Sequence, residues 1–280
     1  MTFLSRLPYD QYAAIPAMNV SRLKELKRSP QHYLHRLTNA FSSKALTLGT
    51  AAHCATLEPE RFDSEFVVWD RRTESGRAAP RTGKGWEAFQ AEHTTRTILA
   101  EAEAATAKAI AAAVRADTVA GPYLVAGDPE VSFTWTHPEA GRACKARADW
   151  ITTIDGFPVL VGLKTARDCR HFQFGAAAAR LGYHLQWAWY FDGFFELTGK
   201  FPRVVEIVVE SEAPHAVATY VISDDILAQG RDEYMQLLAL LAECEASGIY
   251  PGPVPMETVL SLPSWAYATD DDISELGLEV

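Results

Sequence analysis

Glu130, Asp149 and Lys164 are three residues whose types and order could serve phosphodiester hydrolysis. Carboxylates that converge at strand ends bind a hard divalent cation, and a neighbouring lysine can polarise a phosphate or position a water molecule. Asp149 ends one strand-like segment and Lys164 ends the apolar run that follows it. The pattern therefore predicts that these groups share one patch of a sheet.

The dipeptide Asp155-Gly156 predicts how the two strands pair, because it stands between two apolar runs and is a strong hairpin signal. A two-residue turn centred there places Asp149 opposite Gly162 and Arg147 opposite Lys164. Side chains alternate along a strand, so positions 162 and 164 lie on one face.

The hairpin before it adds the third residue. If its loop is centred between Glu139 and Ala140, Glu130 also falls opposite Asp149. Three adjacent strands would then place Glu130, Asp149, position 162 and Lys164 in one patch.

These residues resemble the motifs of the PD-(D/E)xK nuclease superfamily, with Asp149 as the first acid, position 162 as the second acid and Lys164 as the lysine. The resemblance is closer to the RecE-type exonucleases, and it extends from about residue 18 to residue 265. The segments that carry it are Gly49-Thr50-Ala51-Ala52-His53, Glu130, Arg147-Ala148-Asp149-Trp150, Leu163-Lys164-Thr165 and Tyr183-His184-Leu185-Gln186-Trp187-Ala188-Trp189-Tyr190.

The resemblance implies roles for individual residues. His53, Glu130, Asp149, an acid at position 162 and the Leu163 carbonyl would hold Mg²⁺ or Mn²⁺. Lys164 would activate water or stabilise charge on the phosphate, and Gln186 would orient the water or the phosphate. The residues expected to contact DNA within these motifs are Arg147, Thr165, Tyr183 and Tyr190.

Gly162 is the departure from this pattern, since family members carry a metal-binding acid there. A glycine within a strand can mark a bulge or a close backbone approach. The interpretation we favour is a recent or deliberate loss of the acid, and both alternatives predict a weak or inactive nuclease. Restoring an acid by Gly162→Asp would then raise hydrolysis.

A net charge of -10 is unusual for a protein that binds DNA, because nonspecific affinity depends on lysine and arginine near the phosphates. One segment is basic although the whole chain is acidic, and its acidic residue is Glu74. It contains Arg71, Arg72, Arg77, Arg81 and Lys84. This segment is either a mobile basic loop over DNA or an ordinary solvated loop.

The remaining chain predicts an α/β fold, a restriction-endonuclease-like core with a mixed central sheet flanked by helices. Residues 1–265 are expected to form a single exonuclease domain, and residues 266–280 an acidic tail. Helices are predicted at Asn19–Arg28, Leu46–Leu57, Trp86–Ala116 (one or two), His171–Ala179, Leu181–Leu197 and Leu227–Ala246, and further strands at Val204–Val209 and Val217–Ile222.

The function this predicts is a Mg²⁺-dependent exonuclease that resects linear double-stranded DNA from its 5′ end for recombination, in the cytoplasm of a bacterial or phage-infected cell. The resemblance also implies a homo-oligomeric ring and a RecT-like annealing partner. No apolar run approaches membrane-spanning length, so no membrane partner is expected. One alternative is a noncatalytic DNA-end-binding or assembly protein. A RecB-type repair nuclease is disfavoured by the absence of clustered cysteines and of a helicase motif.

Overall fold

A mixed sheet of six strands forms the centre of the computed structural model, which describes residues 2–4, 7–39 and 44–262. The strands of these residues are β1 (Thr2–Leu4), β2 (Phe66–Trp69), β3 (Thr97–Ala100), β4 (Asp128–Thr136), β5 (Ala143–Ile154), β6 (Phe157–Ala166), β7 (Arg203–Glu210) and β8 (Val217–Val221). The sheet order is β1-β4-β5-β6-β7-β8. Strands β6 and β7 run parallel, and the other neighbours are antiparallel. Strands β2 and β3 form a separate parallel pair.

Helices cover both faces of this sheet. Those of the described residues are α1 (Tyr9–Ala14), α2 (Val20–Arg28), α3 (Pro30–Thr38), α4 (Lys44–Leu57), α5 (Phe62–Glu65), α6 (Gly83–Glu92), α7 (Glu101–Ala116), α8 (His171–Leu181), α9 (Tyr183–Thr198) and α10 (Asp224–Ser247). Val159, Val161 and Leu163 of β6 share a core with α4 and α7, while Leu160 shares another core with α2, α9 and α10. Alternation along β6 therefore separates the two cores. The α/β fold class is confirmed.

The predicted turn at Asp155-Gly156 joins β5 to β6, and both residues have positive φ angles, 52° and 82°. Such angles are what a two-residue type I′ hairpin turn requires. Trp150 pairs with Val161, which is the predicted register. The ladder stops at that pair, so it contains neither the predicted pair of Asp149 with Gly162 nor that of Arg147 with Lys164.

The sequence predicts that one or two helices cover the stretch from Trp86 to Ala116. The structure has two helices there, α6 and α7, but the strand β3 lies between them, so the stretch is not helical throughout. Leu99 of β3 is fully buried, and the strand pairs with β2. Burial and pairing of this short apolar run prevail over the helical propensity of its surroundings. Trp265 and the acidic tail lie outside the described residues. Within the described residues, no helix combines the length and apolarity needed to cross a membrane.

Helix α9, which carries several of the predicted site residues, begins after Gly182 in the left-handed conformation and packs closely against α10. The close approach occurs at Gly230 of α10. A Cβ atom there would lie 2.7 Å from the carbonyl carbon of His184 and 2.9 Å from the Ala188 Cβ. The two helix backbones therefore meet at a position that tolerates no side chain.

We predict that Gly230→Ala lowers the free energy of unfolding by about 1–3 kcal/mol through overpacking, despite the higher helix propensity of alanine. Gly175→Ala in α8 is the matched control, because its Cβ would meet nothing within 4 Å. That control should gain about 0.5–1 kcal/mol. Urea unfolding of the three proteins measures both changes, and a stabilised Gly230→Ala protein would contradict the packing described for α9 and α10.

Candidate active site

A cleft of about 660 Å³ brings together most of the residues singled out in the sequence. It lies between α4 and α9, at the end of β6. The predicted residues that line it are His53, Glu130, Arg147, Asp149, Lys164, Thr165, Tyr183 and Tyr190. Behind it, a cavity of about 20 Å³ is lined by Asp149, Gly162, Gln186 and a residue that the sequence analysis missed, Glu206. Asp149 borders both spaces.

Asp149 and Lys164 form an ion pair at the base of the cleft, with Lys164 Nζ 3.3 Å from Asp149 Oδ2 and each side chain 15% exposed. The backbone N–H of Leu163 also donates to Asp149 Oδ2, at 2.9 Å. Burial would raise the pKa of Asp149, but Lys164, His53 and the Leu163 N–H together hold it below its usual value. Burial would lower the pKa of Lys164, but Asp149 and Glu206 raise it above its usual value. Both groups therefore carry charge at neutral pH.

Glu206 of β7 is a second carboxylate beside Lys164, with its Oε1 3.5 Å from Lys164 Nζ and only 1% of its side chain exposed. Trp187 Nε1 donates to its Oε2 at 2.5 Å, while Oε1 is buried with no hydrogen-bond partner. Burial and the charge of Asp149 raise the pKa of Glu206, and Lys164 and Trp187 offset this only in part. An acid inside the apolar run Val204–Val209 was the available sequence signal, because a buried carboxylate needs a partner.

Gly162 is closely approached by Glu206 of β7, and the loss of an acid at this position stays a prediction. Gly162 lies opposite Glu206 in the parallel ladder of β6 and β7. A Cβ atom on Gly162 would lie 2.6 Å from Glu206 Oε2 and 2.8 Å from its Cδ. The Glu206 carboxylate thus fills the space that a side chain at position 162 would occupy. Of the two alternatives, the close approach to a glycine is what the structure contains.

Glu130 approaches the site through an irregularity in β4. Its φ angle is +50°, and the pair Glu130–Asp149 is missing from the ladder between Pro129–Trp150 and Val131–Ala148. A positive φ is uncommon for glutamate, and such strain gathers at functional sites. The predicted register of these strands is nevertheless confirmed on both sides of the irregularity.

Arg147, for which the sequence predicts a DNA contact, lines the cleft and pairs with Glu130, and its contact with DNA stays a prediction. Its Nε donates to Glu130 Oε2 at 2.5 Å, its Nη1 donates to the Leu7 carbonyl at 3.0 Å, and its side chain is 12% exposed. Burial and Asp149 raise the pKa of Glu130, and Arg147 and His53 counter them in part. The charge of Arg147 is therefore directed at Glu130.

The donor atoms at this site suit a hard divalent cation, since carboxylate and carbonyl oxygens are the ligands that Mg²⁺ and Mn²⁺ favour. Within the described residues, however, no three His, Cys, Asp or Glu side chains lie close enough together to hold one ion as they stand. Glu130 is held by Arg147, and the Leu163 carbonyl accepts a hydrogen bond from Lys164 Nζ at 3.2 Å. Glu206 Oε1, which is buried without a hydrogen-bond partner and lies 3.5 Å from Lys164 Nζ, has the capacity to accept a further ligand. The chemistry fits a metal, and binding would require these side chains to rearrange.

Gln186 and a lysine that the sequence analysis missed, Lys24 of α2, meet beside this cluster. Lys24 Nζ lies 3.5 Å from Gln186 Oε1 and 4.8 Å from the centre of the Tyr183 ring. The Lys164 Nζ lies 5.7 Å from the same ring centre. Burial lowers the pKa of Lys24 to about 7, and the nearby positive charge of Lys164 contributes to the shift. No sequence pattern connects α2 with α9, so this contact could not be predicted.

The basic segment lies apart from the residues that line the cleft, which include none of its five members. Glu74 is the acidic residue within this segment, but two of the arginines pair with acidic residues outside it. Arg72 pairs with Glu101, and Arg81 Nη2 lies 3.0 Å from Glu103, both at the start of α7. A DNA-binding role for Arg71, Arg72, Arg77, Arg81 and Lys84 stays a prediction.

Asp149, Lys164 and Glu206 lie on three adjacent strands of a mixed α/β sheet, an arrangement typical of the PD-(D/E)xK class of nuclease folds. The chain belongs to the family described as a PDDEXK-like domain of unknown function (DUF3799), whose profile matches residues 19–254. The resemblance to the superfamily is thereby confirmed, while the closer likeness to RecE-type enzymes stays a prediction.

Solved structures support the fold. A crystal structure of a protein from Eubacterium rectale, provisionally named an exonuclease, matches with a TM-score of 0.63 and 16% sequence identity, over 94% of this chain and 96% of the other. A likeness at this identity shows the fold alone. The crystal structure of SSO0001 matches with a TM-score of only 0.27 and 15% identity, over 40% of this chain and 50% of the other, and carries no argument. No curated protein matches the sequence.

We predict that Lys24 makes the stability of this region depend on pH. Its pKa falls from 10.5 to about 7 on folding, so the unfolded chain binds more protons between these two values. The free energy of unfolding of the wild type, relative to a Lys24→Met variant, should therefore rise as the pH increases from about 7 towards 10. Urea unfolding at several pH values measures this difference, with Lys200→Met as a control on an exposed lysine. A difference that falls or stays flat over this range would contradict the burial assigned to Lys24.

Proposed function

We propose that this protein is a metal-dependent nuclease that digests double-stranded DNA from linear ends. The observation that carries the proposal is the ion-paired cluster of Asp149, Lys164 and Glu206, of which Asp149 and Lys164 line an open cleft, in a chain of the PDDEXK-like family. Charged groups are rarely buried together without a functional reason, and perturbed pKa values gather at active sites. The cluster thus supports hydrolysis of a charged substrate.

Lys164 has a defined part in this proposal. Because its pKa is raised, it stays protonated and stabilises negative charge on the phosphate instead of accepting a proton from water. Of the two roles expected for it, charge stabilisation is the one that this electrostatic environment supports. Asp149 fixes the position of the ammonium group through their ion pair.

Mg²⁺ or Mn²⁺ would supply polarisation of the phosphate and activation of a water molecule. His53, Glu130, Asp149 and the Leu163 carbonyl are the groups that would hold the ion. Gln186 would orient the phosphate or the water, and Thr165, Tyr183 and Tyr190 would face the DNA from the walls of the cleft. Arg147 keeps Glu130 in place near the site.

The finer features of the proposal rest on the likeness to RecE-type exonucleases. They are resection from the 5′ end, a homo-oligomeric ring around the DNA, and delivery of the 3′ single strand to an annealing protein. The name of the Eubacterium rectale neighbour is compatible with digestion from ends. We propose an active enzyme and not a disabled one, because a carboxylate stands beside Lys164 despite Gly162.

The test is digestion of a linear duplex in the presence of Mg²⁺, with each strand labelled at its 5′ or 3′ end and a covalently closed circle as the control substrate. We predict that the wild type degrades the linear duplex and spares the circle, and that label is lost first from the 5′ ends. Loss first from the 3′ ends would overturn the polarity, and cleavage of the circle would overturn digestion from ends.

Asp149→Asn should slow hydrolysis by about 10²–10³-fold, because it removes the charge that holds Lys164 and would hold the metal. Its DNA affinity should stay within a few-fold of the wild type, since the side chain is largely buried. Asp232→Asn on the exposed face of α10 is the matched control and should be as active as the wild type. A wild-type protein that binds linear ends and leaves them intact would instead establish the noncatalytic end-binding alternative.

A further inference from the structure

The carboxylate of Glu206 and the bare backbone of Gly162 form a matched pair across β6 and β7. A Cβ atom at position 162 would lie 2.6 Å from Glu206 Oε2, so a side chain there would require the Glu206 carboxylate to shift. The two residues are therefore interdependent, and the acid reaches the site from β7 instead of β6.

The hydrogen bonding of Glu206 leaves one oxygen available. Trp187 holds Oε2 and so fixes the orientation of the carboxylate, while Oε1 faces Lys164 with no hydrogen-bond partner. A buried polar atom in this state calls for an explanation, such as a water molecule or an ion. Apart from its ion pair with Lys164 at 3.5 Å, Oε1 thus retains the capacity to accept a further ligand.

The adjoining cavity is the right size for such a ligand. It measures about 20 Å³, which is enough for one water-sized species, and its walls include both Glu206 and Asp149. Asp149 also faces the main cleft, so it connects the cavity with the surface that a substrate would approach. Lys164, which forms ion pairs with both carboxylates, also lines the cleft.

From this arrangement we propose that Glu206 is the second metal-binding carboxylate of the site, acting with Asp149 in place of an acid at position 162. The inference rests on the proposed metal-dependent function and identifies a residue that serves it. A contrasting role for Glu206 is to position Lys164 through their ion pair alone. The two roles differ in what removal of the carboxylate does to metal affinity.

Mn²⁺ binding measured by titration calorimetry, in the absence of DNA, distinguishes these roles. Glu206→Gln keeps the size of the side chain and can still accept from Trp187, so it removes chiefly the charge. We predict that it lowers Mn²⁺ affinity at least about tenfold, a loss that even an outer-shell partner can cause. Glu212→Gln, on the exposed connection after β7, should bind as the wild type does. Circular dichroism and thermal melting verify that each variant is folded.

A carboxylate exchange provides the decisive second variant. Gly162→Asp alone should weaken Mn²⁺ binding, because its Cβ collides with Glu206 and a second negative charge is added. Gly162→Asp combined with Glu206→Ala vacates that space and should restore Mn²⁺ affinity to within a few-fold of the wild type. Recovery in the double variant also answers the objection that Glu206→Gln merely disturbs the fold.

The possible outcomes separate this inference from the proposed function. If Glu206→Gln and the wild type bind Mn²⁺ equally and both digest DNA, the assignment of Glu206 is wrong and the nuclease stands. If Glu206→Gln binds Mn²⁺ normally but digests poorly, Glu206 positions Lys164 and the metal role is overturned. If the wild type neither binds Mn²⁺ nor digests DNA, the proposed function fails, and the metal role of Glu206 fails with it.

Discussion

The buried ammonium group of Lys164 is the charge on which the arrangement of this site depends. It lies between Asp149 of β5 and Glu206 of β7, so a single side chain of β6 compensates a carboxylate on each neighbouring strand. Removal of one partner from a buried ion pair typically costs about 3–5 kcal/mol, because an uncompensated charge is left behind. The three central strands are thus electrostatically linked as well as hydrogen-bonded. Lys164 therefore remains charged at neutral pH, and its charge is available to the reaction.

The position of β7 relative to β6 follows from the same constraint. Glycine at position 162 allows the Glu206 carboxylate to pass alongside β6, and Trp187 of α9 fixes its orientation. A substitution at this contact on β6 or β7 would therefore also affect the packing of the other strand and of α9. The sequence motif lacks an acid at position 162, and in three dimensions Glu206 of the next strand stands beside Lys164. The site keeps two carboxylates beside its lysine although the sequence motif is interrupted.

The parts of the fold that were predictable are those with local signals. The Asp155-Gly156 turn fixes the register of β5 and β6, as the sequence predicts. Glu206 had no comparable signal, because β6 and β7 are parallel and are connected through α8 and α9. No turn sets the register of such a pair, so the residue opposite Gly162 cannot be read from the sequence.

Two other features were hidden for related reasons. Glu130, which pairs with Arg147, has a left-handed backbone conformation that no residue pattern predicts. The proximity of Lys24 to Gln186 depends on how α2 packs against α9, a contact between distant segments. In both cases, tertiary packing determines which residue a charged side chain contacts. Local sequence propensity predicts helices and strands, but it does not predict these contacts.

The most direct test of a metal-binding role for Glu206 is an anomalous-scattering map from crystals of the wild-type protein grown with Mn²⁺. Our account predicts an anomalous peak in contact with the carboxylates of both Asp149 and Glu206, beside Lys164. A peak held by Asp149 and Glu130 without Glu206, or the absence of a peak at this site in crystals saturated with Mn²⁺, would contradict it.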